Sequence, residues 1–68
     1  MKVKIERYGT TKSMRDGADI TKTIEAESSF DALVKIGCNP DGINCYDNSG
    51  ETCAVYYGRK YDSYAEPA

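Results

Sequence analysis

Ser28-Ser29-Phe30-Asp31-Ala32-Leu33-Val34-Lys35-Ile36-Gly37 is the stretch that decides the fold. Ser28 can cap a helix by accepting a bond from an early backbone N–H. Asp31, three residues on, complements the free N–H groups and the positive end of the helix dipole. Phe30, Leu33 and Val34 are spaced i, i+3, i+4 and predict one apolar stripe, flanked by Ile36. Gly37 is placed to end the helix in a left-handed conformation, and Pro40 prevents its resumption. So short a helix is marginal alone and must dock on something. The segments around it supply a sheet.

Upstream, Lys2 to Tyr8 alternates, with Val3 and Ile5 on one side and Lys2, Lys4 and Glu6 on the other; period two predicts a half-buried strand. Ala18 to Ala26 alternates again, with Ile20, Ile24 and Ala26 sharing a face. Lys22 falls on that apolar face, which implies an open middle or a bulge. Between these strands, Gly9 to Gly17 is a polar loop, long for a hairpin, of the kind that often carries binding.

Downstream, Ile43 to Tyr46 predicts a third strand and Glu51 to Tyr57 a fourth. Gly50 suits a left-handed position closing a three-residue loop, Asn48-Ser49-Gly50. That register sets Cys45 opposite Cys53, two core-facing thiols or, in a sharper reading, a cross-strand disulfide. Tyr61 can extend the last strand, and residues 62–68 are expected to form a loose tail. The order β-β-α-β-β gives an α+β fold: two hairpins in one antiparallel sheet, with one helix on one face. The 68 residues make a single domain.

Size and composition narrow the function. A chain this small holds a thin core and little room for an elaborate active site. With 40% hydrophobic and 29% charged residues it is a globular chain and not a disordered one. No apolar run is long enough to cross a bilayer, and the alternating N-terminus lacks a signal peptide, so the expected compartment is the cytoplasm. The three cysteines do not make an even disulfide set, which suits reduced thiols. The chain has no histidine, so a Cys–His nucleophile pair is excluded within one subunit. No C-x-x-C knuckle or Gly-rich phosphate loop occurs. The expectation is a non-enzyme without catalytic residues, metal or cofactor.

Charge is unevenly spread. Residues 1–24 hold six basic and three acidic side chains, net +3; residues 25–68 hold three and eight, net −5. Tyrosine is the unusual residue, six against one Phe and no Trp. Alternation places Tyr8, Tyr46 and Tyr56 away from the core, on the sheet face that a single helix leaves open. Tyrosine there offers a rigid contact area with a polar tip, or simply strand propensity. Asp47, Glu51, Asp62 and Glu66 lie near the tyrosines and would complement a basic groove. The candidate partner-binding residues are therefore Tyr8, Lys12, Arg15, Tyr46, Asp47, Glu51, Tyr56, Tyr61 and Asp62. Direct nucleic-acid binding is the second hypothesis. It would use a basic first hairpin with Lys2, Lys4, Arg7, Lys12 and Arg15, against an overall pI near 4.9.

The segment Ile24-Glu25-Ala26-Glu27-Ser28, followed by an amphipathic helix with Ala32 and ending near Cys38, resembles the strand-to-helix junction of small phage-encoded anti-CRISPR proteins, in particular a type I inhibitor of similar length. The resemblance implies a stoichiometric inhibitor in the host cytoplasm that binds a CRISPR effector subunit and blocks nucleic-acid access. It transfers no individual binding residue. A small regulator, a toxin–antitoxin partner or a homodimer burying its sheet fits the residues equally.

Overall fold

A computed structural model describes residues 1–11 and 17–68. Strands β1 (Lys2–Gly9) and β2 (Ile20–Glu25) precede helix α1 (Ser29–Lys35). A 3-10 turn (Pro40–Gly42) then leads into β3 (Ile43–Asn48), β4 (Glu51–Tyr57) and β5 (Tyr61–Pro67). All five strands form one antiparallel sheet in the order β2-β1-β5-β4-β3, and α1 packs on one face, chiefly over β4 and β5. The α+β expectation holds.

The expected loose tail at 62–68 is instead the central strand. Val3 to Gly9 pairs with Pro67 to Tyr61 on one side, and Ala54 to Tyr57 pairs with Ala65 to Asp62 on the other. The two anticipated hairpins do not pair with each other; β5 joins them. Its inward residues include Ser63 and Ala65, both fully buried. A helix lying close above leaves room only for small side chains, so β5 has none of the large aliphatic residues by which a central strand is usually recognised.

The helix ends are as the sequence predicts. Ser28 is extended and its Oγ accepts the Asp31 N–H at 3.0 Å, while Asp31 Oδ2 accepts the Glu27 N–H at 2.9 Å. Gly37 has φ +100°. Its N–H bonds Val34 O and the Cys38 N–H bonds Leu33 O, each at 3.0 Å, the two bonds of a Schellman motif. The docking stripe is corrected. Ser29, Ala32 and Leu33 are buried and Ile36 packs on the core, whereas Phe30 and Val34 are each 37% exposed. Spacing alone allows either stripe; the small pair Ser29 and Ala32 permits the closer approach to the sheet.

The β3–β4 connection is also shorter than expected. Asn48 pairs with Glu51, leaving a two-residue turn, Ser49-Gly50, with φ of 53° and 84°. Both values are left-handed, as a type I′ turn requires. The register therefore slips by one residue, which exchanges faces. Cys45 faces Ala54 and Cys53 faces Tyr46, so the two thiols lie on opposite sides of the sheet and no disulfide joins them. Tyr56 moves with Ala54 to the helix side and packs against the core. The 3-10 turn makes room for it: a Cβ on Gly42 would stand 2.8 Å from the Tyr56 ring. Lys22 does face the helix side, opposite Ile5, in an unbroken register and exposed at the sheet edge.

Deleting residues 62–68 is expected to abolish cooperative urea unfolding, because it removes the strand that joins both hairpins; a truncated chain that still unfolds cooperatively would refute the central placement. Leu33→Ala should cost about 2–5 kcal/mol and Phe30→Ala far less, measured by the same denaturation.

Candidate binding face

The pleat and the register decide which side chains stand on the helix-free face. From β1 come Lys2, Lys4, Glu6 and Tyr8; from β5, Asp62, Tyr64 and Glu66; from β4, Glu51, Cys53, Val55 and Tyr57; from β3, Asn44, Tyr46 and Asn48; from β2, Thr21, Thr23 and Glu25. Four of the six tyrosines thus share one face. Tyr64, on the central strand, meets Tyr8 edge-to-face with centroids 5.6 Å apart and Tyr57 likewise at 6.5 Å. Such arrangements set the positive edge of one ring against the negative face of another. Tyr57 is 63% exposed and Tyr46 41%. Beneath them Cys53 and Val55 are buried although no helix covers this side, since their registered neighbours Tyr46 and Tyr64 shelter them.

Carboxylates border the rings. The Tyr8 hydroxyl donates to Glu6 Oε2 at 2.9 Å, and Lys4 Nζ lies 3.6 Å from Glu6 Oε1. Asp62 sits in register between Tyr8 and Tyr57. Glu6, Tyr8, Tyr46, Tyr64, Ala65 and Glu66 line a shallow hollow of about 160 Å³. The hydroxyls around it are held as neutral phenols. The bond to Glu6 raises Tyr8 above its ordinary value, and burial does the same for Tyr46 and Tyr64. Burial also pushes up the Cys53 thiol, with Glu66, Glu51 and Asp47 adding to it, so this thiol is a poor nucleophile at neutral pH.

The sequence-derived candidates divide. Tyr8 and Tyr46 line the hollow, and Asp62 and Glu51 stand on the same face. Tyr56, expected there, is on the helix side, packed against the core. Asp47 faces the helix side, where its Oδ1 accepts the Thr52 hydroxyl at 3.5 Å. Tyr61 is also on that side, with the Arg7 guanidinium 4.8 Å over its ring. Lys12 and Arg15 lie outside the described residues. Tyr57, Tyr64 and Glu6 complete the face and were not among the candidates, nor was Glu66 beyond its acidic charge. Alternation in Asp62-Ser63-Tyr64-Ala65-Glu66 carries the signal for two of them, with small residues on one side and large polar ones on the other.

Among the described residues no three His, Cys, Asp or Glu side chains converge as metal ligands, and no helix is long and apolar enough to cross a membrane. Compared with known proteins, the chain matches no family model, no curated protein and no solved structure.

The raised Tyr8 has a pH consequence. The folded chain holds this proton more tightly than the unfolded chain does, so the contribution is fully present below the ordinary value of 10.0 and is lost as pH rises through the folded value. Glu6→Gln should lower the Tyr8 midpoint in a tyrosinate absorbance titration. An unmoved midpoint would show that the carboxylate is not the cause.

Proposed function

We propose that the protein is a non-enzymatic, stoichiometric inhibitor that lays its tyrosine face on a basic surface of another protein, the nucleic-acid groove of a CRISPR effector complex. The observation that carries the reading is the union of four tyrosines with an acidic border on the sheet face opposite the helix. Its strand residues include Glu6, Glu25, Glu51, Asp62 and Glu66 against Lys2 and Lys4, five carboxylates to two ammonium groups. Tyrosine gives interface area at low entropic cost, and the carboxylates give steering and register toward a cationic partner. The accessible surface is 4469 Å², of which a standard footprint of about 800 Å² is a modest share.

The same charges weigh against nucleic acid as the direct ligand, because phosphate binding needs a concentrated basic footprint. Among the described residues, the basic side chains of the first hairpin are divided between the two sides: Lys2 and Lys4 on the tyrosine face, Arg7 and Lys22 on the helix face. The effector as partner is supported by the resemblance of Ile24–Ser28 and the following helix to type I anti-CRISPR proteins.

A plaque assay tests this. Expressed in CRISPR-immune bacteria across a panel of effector types, the protein should restore plaques of a targeted phage for one type and co-purify with that complex. Tyr46→Ala combined with Tyr57→Ala should weaken capture about thirtyfold or more while keeping the circular dichroism of the fold. Tyr56→Ala should instead lose stability. No rescue across the panel would reject the effector, and full affinity in the double variant would reject the face.

A further inference from the structure

The hollow on the tyrosine face has the walls of a cation receptor. Tyr8 and Tyr64 stand at 85° to each other, giving it two aromatic walls, and Tyr46 reaches in from β3. Aromatic faces attract cations, more strongly as water is excluded. Two carboxylates complete the lining. Glu6 is engaged by the Tyr8 hydroxyl and by Lys4, whereas Glu66 bonds Lys4 through the strand ladder and its carboxylate makes no hydrogen bond or ion pair with another described side chain. Among the described residues Lys4 is the nearby cation, in register with Glu66 and 3.6 Å from Glu6. The described lining and its neighbour Lys4 thus set two carboxylates against one ammonium.

We infer that this hollow binds an arginine side chain presented by the partner protein, the guanidinium lying against Tyr8, Tyr46 and Tyr64 and hydrogen-bonding the Glu66 carboxylate. The size fits one such head group: a protein cavity of about 150 Å³ takes up a benzene ring, and a planar guanidinium is no larger, so a hollow of about 160 Å³ has room for one. The chemistry favours arginine over lysine, because a planar, weakly hydrated guanidinium stacks on a ring and grips a carboxylate through two donors at once. The chain already uses the ring contact within itself, Arg7 over Tyr61 on the other face. A basic groove that binds nucleic acid offers arginines, so the inference deepens the proposed function and rests on its protein-binding reading.

The test uses the whole protein, isotope-labelled, titrated with N-acetyl-arginine amide and followed by NMR. Saturable shifts are expected at Glu6, Tyr8, Tyr46, Tyr64 and Glu66, with millimolar affinity. The uncharged isostere N-acetyl-citrulline amide should produce none, a control that needs no variant, and the lysine amide should bind more weakly. Glu66→Gln, with its thermal unfolding unchanged, should weaken the arginine amide about tenfold. No saturable shift, shifts that map elsewhere, or equal binding of citrulline would overturn the receptor. The two levels separate: partner capture that survives Glu66→Gln, with no arginine binding, removes the receptor and keeps the protein-binding face. Arginine binding in a protein that rescues no plaques keeps the receptor and rejects the effector.

Discussion

The helix rests over β4 and β5 because the residues between the layers are small. Ser29 and Ala32 on α1 face Ala54, Ser63 and Ala65 on the sheet, all buried. A short helix has few side chains with which to anchor itself, so it gains most by approaching closely and burying its whole inner surface. The two hydroxyls in this layer are satisfied: Ser29 Oγ donates to Thr52 O at 2.9 Å, and Ser63 Oγ accepts from Arg7 Nε at 3.1 Å. Larger apolar residues, Val3, Ile5 and Leu33, fill the flank toward β1. The helix orientation follows from this layer. Turning Phe30 and Val34 inward would hold the helix off the sheet and open voids beside the alanines.

Period-two alternation carries the same constraint through to the other face. Where β5 puts Ser63 and Ala65 inward, it puts Asp62, Tyr64 and Glu66 outward. The layer beneath the helix is thin, and the tyrosine face adds a second apolar layer that buries Cys53 and Val55 from the opposite side. The rings therefore both stabilise the sheet and form the surface proposed for partner contact. The apolar bodies cover the strands beneath them, while the hydroxyls and carboxylates point to the rim.

What the sequence makes legible and what it hides follow from the same physics. Caps act through neighbours in the chain, so Ser28, Asp31 and Gly37 could be read directly. Strands β1 and β2 were legible because large aliphatic residues mark their inward face. β5 was not, because its inward residues were selected for size under a helix and carry no hydrophobic signal. The face of β4 turned on a single turn residue. With Asn48 paired instead of looped, every side chain of β3 changes partner, and Cys53 and Tyr56 exchange the sides expected of them. Of the binding face, Tyr8 and Tyr46 were legible and Tyr64 was not, since its position depends on the hidden strand.

The placement of β5 also governs when the proposed binding face exists. β1 and β5 lie far apart in sequence and adjacent in space, so their pairing closes the longest loop in the chain and comes at a high entropic cost. Neither hairpin alone contains the face: Tyr8 and Glu6 come from β1, Tyr64 and Glu66 from β5, Tyr57 from β4 and Tyr46 from β3. The contacts that hold β5 in the sheet are the contacts that bring these residues together. On the proposed reading, binding competence and cooperative folding are one transition. A partner that engages the face stabilises the β1–β5 pairing by mass action, and any change that loosens β5 disperses the site before it alters the chemistry of any residue in it.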